Sequence, residues 1–416
     1  MTTPTPPTTP TPLPLVVFLD HCAAWSGGEI ALLRLLEPLE GCRRLVVLGE
    51  DGPLVAELTK AGIDVRVLPL DARTNRLSRQ ATARLPLRSV VDVLGYVRRM
   101  RRLLRQERAD LVHANSLKSG VYGCLAARAA GVPVVWHVRD RIAPDYLPAR
   151  VVRLVRALLV LLPDAVLVNS RATRDTLGPV VRRTVPVTVI GDPYRPPRPA
   201  HPRPAPRGEP VVALVGRLAP WKGQHLFLDA LARLLGDGVA VRGRLLGAAL
   251  FGESAYAEEV GRRLARPPLD GRVALGSFTG DVSEALADVD VVVSASVIPE
   301  PFGQVVVEAI ANGVPVVVPD QGGPAEIVED GVSGLTYRAG DAGDLARAIQ
   351  RLSASPELYE RLSASGLRRA EDFAPEGIAS EFQDVVASVR RVGPVQRARA
   401  LLGLGTSSRA ARSQSG

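Results

Sequence analysis

Two doubly wound α/β domains facing each other across a cleft are what the sequence predicts, on three observations. Short Val- and Leu-rich runs alternate with longer amphipathic segments up to about residue 190. A proline-rich stretch, GDPYRPPRPAHPRPAPRGEP (191–210), then interrupts the alternation. Beyond it the design restarts: PVVALVGRLAPWKGQHLFLDALARLL (210–235) repeats the strand, glycine loop and helix of LPLVVFLDHCAAWSGGEIALLRLL. Continuous apolar strands separated by helices belong to parallel sheets covered on both faces. Ligands of such sheets sit outside the carboxyl ends of the strands, so two facing sheets place the site between the domains.

The elements follow in order. LPLVVFLD (13–20) reads as a buried strand, followed by a loop at Ser26-Gly27-Gly28 and a helix through Leu39. CRRLVVLGE, IDVRVLPL, ADLVHAN, PVVWHVRD and DAVLVNS read as further strands, with helical segments between most of them. The 191–210 stretch is a semi-rigid linker by composition. After it, VRGRLLG, RVALGSF, VDVVVSAS and VPVVVPD supply the remaining strands of the second sheet.

Composition narrows the class. At 46% hydrophobic and 23% charged the chain is globular, and with only 4% aromatics its core must be built from Val, Leu and Ala. A net charge of +9, carried mostly by arginine, favours anionic partners. Cys22, Cys42 and Cys124 are scattered and form no C-x-x-C pair, so neither a zinc site nor a disulfide framework is implied and a reducing cytosol fits. MTTPTPPTTPTPLP lacks a basic n-region and an apolar h-region; it reads as a floppy extension rather than a signal peptide. The apolar run 151–168 is broken by Arg153, Arg156, Pro163 and Asp164, short of the ~20 clean residues of a membrane span. The expected location is the cytoplasm, with peripheral contact at the inner face of the membrane left open.

Chemistry concentrates in the second half. In EPFGQVVVEAIANGVPVVV (300–318), Glu300 lies just past a strand end, Pro301-Phe302-Gly303 turns the chain, and a helix starts near Gln304. A helix N-terminus attracts anions through its backbone N–H groups. Glu308 on that helix leans back toward the same pocket. Carboxylates accept hydrogen bonds from hydroxyls, so Glu300 facing a sugar and Glu308 facing a ribose would explain the pair. Glu29 and Glu37 share that spacing and are expected only to decorate a helix. In GRLAPWKGQ (216–224), Arg217 and Lys222 share a loop before a helix, where two cations would stabilise a departing diphosphate. Asp288-Val289-Asp290 has the D-x-D form of a metal site, but it enters its strand at the amino end and reads as structural.

GRLAPWKG, EPFGQVVVEAIANGVPVV and GGPAEIVEDGVSG (322–334), in that order, resemble the retaining glycosyltransferases of family 4. The resemblance covers roughly residues 13–390; it is specific in the C-terminal half and looser in the N-terminal half. It implies the GT-B fold and a hexose-type sugar moved from a nucleotide diphosphate sugar, UDP favoured over GDP, to a hydroxyl of a lipid, secondary metabolite or polysaccharide. The nucleotide sugar is a co-substrate; no cofactor and no metal are expected. Arg217 and Lys222 would hold the diphosphate, with Gly216 heading their loop in the donor site. Glu300 would contact the transferred sugar and Glu308 the ribose, while the amides of Gly303, Gln304 and Val305 cap the phosphates. Phe278, in the SFTG turn (277–280), falls where the family contacts the base. Gly27 and Gly28 match a glycine loop that approaches the phosphates, and His137 a histidine beside the reacting sugar. His113 is a second cleft-edge candidate. The expected organisation is an extension over 1–12, an acceptor-side domain over 13–190, a hinge over 191–209 and a donor domain over 210–375. A helix returning to the first domain (376–392) and a disordered tail (393–416) complete it.

Residues 73–108 hold eleven arginines against Asp92 and Glu107. Within them Val90, Val93, Leu94, Val97, Met100 and Leu104 recur at helical spacing, with Arg98, Arg102 and Arg105 on another face. Such a helix over 90–105 either lies on anionic lipid or packs on its sheet with a solvated arginine face. The charge also suits a nucleic-acid-binding protein, but aromatic interleaving and recognition motifs are missing, so no nucleic-acid partner is expected. A protein that binds nucleotide sugars without transferring them is the other alternative. A dehydrogenase would need a G-x-G-x-x-G after a strand, which is absent.

Overall fold

The computed structural model describes residues 13–70, 87–249, 253–276 and 282–389. The Thr/Pro extension, the arginines between 71 and 86, Phe278 with its SFTG turn, and the 393–416 tail lie outside the described residues.

Strands β1 (Leu15–Asp20), β2 (Arg43–Leu48), β3 (Asp64–Val67), β4 (Leu111–Ala114), β5 (Val134–Val138), β6 (Ala165–Val168) and β7 (Val187–Val189) form the N-terminal sheet. Its order is β3-β2-β1-β4-β5-β6-β7, and every pairing is parallel. The C-terminal sheet holds β8 (Val211–Val215), β9 (Arg242–Leu246), β10 (Val273–Gly276), β11 (Val291–Val293), β12 (Val316–Pro319) and β13 (Leu335–Tyr337). Its order, β10-β9-β8-β11-β12-β13, is again all parallel. The two sheets, each flanked by helices, are Rossmann-like and face a cleft, as expected of GT-B. In both, the order reverses beside the first strand, at β1/β4 and at β8/β11, and the crevice opens at those points. β7 and β13 are not evident from the sequence, because each is a three-residue sheet-edge strand without a continuous apolar run.

Alternation along β1 shows how the layers form. Val16 and Phe18 pack with Leu32, Leu35 and Leu36 of the Gly27–Leu36 helix on one face. Val17 and Leu19 point to the other face, toward Tyr96, Met100 and Leu104. Those three belong to the Leu87–Gln106 helix, whose apolar stripe is thus spent on the core. Leu94, expected on that stripe, is instead 46% exposed, and Tyr96 takes the buried position. Arg98 and Arg102 face solvent, while Arg101 and Arg105 donate to the Ala129 carbonyl at 3.0 and 3.4 Å. Among the described residues no helix is long and apolar enough to cross a membrane.

The last described helix, Pro375–Ser388, follows the C-terminal sheet in sequence but packs on the N-terminal one. Ile378, Ala379, Phe382 and Val385 enter the cluster around Phe18, with the Phe18 and Phe382 ring centroids 5.8 Å apart. Burying a side chain of Phe382's size contributes about 1.5–3 kcal/mol.

Candidate functional site

Lys222 ends a single 3-10 turn, Pro220–Lys222, just beyond β8. Gly223 then caps the Gln224–Gly236 helix at φ 72°, where a Cβ would lie 1.8 Å from the Ala295 carbonyl oxygen. Only glycine fits there, and the tight approach brings the Lys222 loop against the loop that follows β11. Lys222 Nζ pairs with the Glu300 carboxylate, whose second oxygen accepts from Ser296 Oγ at 2.9 Å. Arg217 lies 3.3 Å from Glu253 and 5.8 Å over the Trp221 ring, and Lys222 Nζ sits 4.6 Å from the same ring. The two cations and the sugar-facing carboxylate expected from the sequence therefore share one loop cluster.

Gly303, at φ 105°, caps the Gln304–Ala311 helix. The first turn of that helix leaves backbone N–H groups without helical partners, and it faces the start of the Gly27–Leu36 helix across the cleft. A Cβ on Gly27 would stand 3.0 Å from the end of the Gln304 side-chain amide, so the absent side chain permits the approach. With its amide turned to satisfy both ends, Gln304 donates to the Gly27 carbonyl (3.2 Å) and accepts from Arg34 Nη1 (2.6 Å). Glu308, one helical turn on and 4% exposed, accepts from Arg34 Nη1 at 2.8 Å. Burial pushes the Glu308 carboxyl up, against the pull of Arg34. The Arg34 guanidinium also lies 4.5 Å over the ring of Tyr194.

The N-terminal wall is a polar network at the β1/β4 switch. Asn115 Nδ2 donates to Asp20 (2.6 Å) and to the Gly28 carbonyl (3.1 Å), and its oxygen accepts from Arg139 Nε (2.8 Å). Arg139 also pairs with the buried Asp192 at the head of the proline-rich connection. His21 Nδ1 lies within hydrogen-bond reach of both Asp20 and Ser116. None of these residues, nor Arg34, stands out in the sequence. Their only signal is position, since each polar residue closes or follows an apolar strand.

His137 and His113 do not open to the cleft edge. Both lie within strands, 1% and 0% exposed, with His113 Nε2 3.2 Å from His137 Nδ1. Phe18 and Phe382 pack on the His113 ring, 5.2 and 5.3 Å away between centroids. His137 Nε2 has no hydrogen-bond partner among the described residues. Burial, followed by Arg139, drives the His113 pKa down to about 3 and His137 well below its ordinary value.

Glu29 departs from expectation: it is buried, and accepts from Ser26 Oγ and from Cys22 Sγ (3.1 Å). The ligand atoms of Asp20, His21, Cys22 and Glu29 lie within 4.8 Å of one another. Burial pushes both the Cys22 thiol and the Glu29 carboxyl toward their protonated forms, and the hydrogen bonds that Cys22 and Ser26 donate already engage the Glu29 carboxyl. The D-x-D carboxylates are already engaged, Asp288 by Arg244 (2.6 Å) and Asp290 by the Val211 amide (2.8 Å). Activity should accordingly survive EDTA after divalent ions are stripped. A complete loss restored by Mn²⁺ would overturn that expectation.

The two halves also meet beside the site. Ser170 Oγ and Thr173 Oγ1 donate to the Pro301 carbonyl, the latter at 3.2 Å, and Glu326 accepts from the amides of Arg171 (2.8 Å) and Ala172. Tyr146 stands edge-on to Trp221, with centroids 6.3 Å apart.

Residues 26–193 match the family profile described as a glycosyl transferase 4-like domain, and residues 200–369 that of glycosyl transferases group 1. The D-inositol 3-phosphate glycosyltransferase of Streptomyces bingchenggensis is 32% identical over 314 residues, 68% of this chain and 67% of that protein. Its counterpart in Streptomyces griseus is 30% identical over 66% of each chain, so this chain spans about two thirds of the curated relatives' length. Among solved structures, Anabaena HepE in complex with UDP-glucose is 27% identical and superposes with a TM-score of 0.76, covering 90% of this chain and 99% of that one.

Proposed function

The chain belongs to the glycosyl transferases of group 1 and has their GT-B fold; from that premise we propose that it is a retaining hexosyltransferase of family 4. The donor in this reading is a UDP-sugar, because HepE holds UDP-glucose. The observation that carries the proposal is the meeting of the Lys222–Glu300 pair, the Gln304 helix start and the Gly27-Gly28 turn at one cleft. Arg217 and Lys222 take the diphosphate, exchanging carboxylate partners for phosphate oxygens, and Gly216 lets their loop approach it. The amides of Gly303, Gln304 and Val305 cap the phosphates. Glu300 holds the sugar, Glu308 the ribose and Phe278 the base.

The bond between sugar C1 and the diphosphate oxygen breaks as an acceptor hydroxyl oxygen bonds to C1 from the same face. The acceptor proton passes to the departing diphosphate oxygen, so neither glutamate is required as a nucleophile. Two cations fixed where charge grows favour that departure. His137, enclosed with His113 beneath the cleft, takes no direct sugar contact in this reading, and the acceptor is a lipid, secondary-metabolite or polysaccharide hydroxyl. A panel of UDP- and GDP-sugars tests the reading, scored by thermal shift, donor hydrolysis and mass spectrometry of products. Failure of every nucleotide sugar to bind or hydrolyse would refute it, and binding without any transfer or hydrolysis would favour a nucleotide-sugar-binding protein.

The Leu87–Gln106 helix spends its apolar stripe on the core, which favours an arginine face turned to water. The alternative is contact with anionic membrane through those arginines and the exposed Val91 and Leu94 beside them. Each arginine near an anionic surface is worth roughly 1 kcal/mol. On that alternative, replacing Arg98, Arg102 and Arg105 together by Gln should abolish co-sedimentation with anionic vesicles and leave transfer to a soluble acceptor intact. Unchanged sedimentation would return this face to water.

A further inference from the structure

Glu308 is a carboxylate only 4% exposed, and its charged partner comes from the other domain. Arg34 sits near the end of the helix whose first residues, Gly27 and Gly28, approach the Gln304 turn. Its Nη1 reaches Glu308 Oε1 at 2.8 Å and the Gln304 side-chain oxygen at 2.6 Å. Its flat face is held 4.5 Å from the Tyr194 ring. The Tyr194 hydroxyl is fixed in turn by Asn312 Nδ2 (3.1 Å) and Ser283 Oγ (3.0 Å). One guanidinium thus joins three segments: the first helix of the N-terminal domain, the proline-rich connection and the helix that carries Glu308.

We propose that Arg34 is a positioning residue for the nucleotide ribose, holding Glu308 Oε1 so that Oε2 is presented, ionised, to a ribose hydroxyl. The inference rests on the donor-site reading above and extends it to a residue of the opposite domain. A buried carboxylate without a partner is stabilised in its neutral form, which accepts hydrogen bonds weakly. A planar guanidinium, stacked on one face and hydrogen-bonded at its edge, fixes the orientation of the carboxylate as well as its charge. Because Arg34 belongs to the N-terminal domain, the ribose seat is complete only while the two domains are together. Ribose recognition and domain closure are therefore one event.

The experiment compares binding of UDP, 2′-deoxy-UDP and 3′-deoxy-UDP to the parent, Arg34→Gln, Arg34→Lys and Glu308→Gln, with thermal melts of each. The parent should prefer UDP over at least one deoxy analogue by about tenfold or more, as for a hydrogen bond to a charged group. Arg34→Gln should erase most of that preference, as Glu308→Gln should, and a variant combining Arg34→Gln with Glu308→Gln should lose nothing further. Arg34→Lys, which keeps the charge but not the stacked fork, should retain part of the preference and serves as the readout if Arg34→Gln does not fold. Full discrimination in Arg34→Gln beside its loss in Glu308→Gln would overturn the role of Arg34 and leave the donor site standing. No discrimination in the parent, with Glu308→Gln binding UDP unchanged, would remove the ribose role of Glu308 and this inference with it.

Discussion

Replacing Lys222 with alanine is expected to weaken UDP binding by about 1.5–3 kcal/mol and to slow transfer by about 100-fold or more. Lys222 and Glu300 are an ion pair, each largely shielded from solvent. Deleting the cation removes a phosphate partner and also leaves the Glu300 carboxylate uncompensated beside the phosphates. Like charges at that range oppose binding, so the loss should exceed that of an exposed lysine, where a pair is worth at most about 1 kcal/mol. The rate should suffer more than the affinity, because charge on the diphosphate grows as the sugar leaves. Glu37, exposed at the end of the Gly27–Leu36 helix, provides the control: Glu37→Ala should bind and turn over like the parent. Calorimetry with UDP and a donor-hydrolysis assay decide the matter, and parental behaviour of Lys222→Ala in both would dismiss the assigned site.

Acid should destabilise the protein well above the range where ordinary carboxylates titrate. The folded state holds His113 neutral down to about pH 3, and His137 is depressed as well, chiefly by burial. Unfolded histidines titrate near 6.5. Below about pH 6.5 the unfolded chain therefore binds protons that the folded pair refuses, and stability falls with pH until the folded pKa is reached. Each refusing histidine costs about 1.4 kcal/mol per pH unit. Glu29, Asp192 and Glu308 act in the opposite sense, since burial raises their carboxyls and the folded state takes up those protons first. Urea unfolding at pH 7.5, 6.5 and 5.5 measures the balance. His113→Phe, which keeps the aromatic packing against Phe18 and Phe382, should flatten the slope by up to about half. A parent whose stability is flat between pH 6.5 and 5.5 would contradict the neutral pair.

What could be read beforehand divides by how local its cause is. The apolar runs at β1, β4, β5 and β12 are continuous because both faces are covered, and they identify their strands without any partner in view. Lys222 and Glu300 were legible because each follows a strand end, and parallel strands place such ends together. Arg34 was not: its meaning lies in Glu308, 274 residues away, and an arginine on an amphipathic helix ordinarily faces water. Asp20, Asn115, Arg139 and Asp192 escaped for the same reason, each unremarkable until the sheet order sets β1 beside β4. His137 shows the converse. Its motif was visible, but its enclosure with His113 under Phe382 depends on a helix from the far end of the chain.

That far helix has a mechanical consequence. The chain passes between the two bodies twice, once through the proline-rich connection and again on entering Pro375–Ser388. A single tether would let one body swivel and slide against the other in any direction. Two tethers leave chiefly a rotation about the line through both crossings, like a door on a pair of hinges. Tyr194, whose amide donates to the Phe373 carbonyl at 2.9 Å, stitches the two crossings directly to each other and so marks that line. Any movement of one body against the other is therefore confined near that line, and the Tyr194–Phe373 hydrogen bond lies on it.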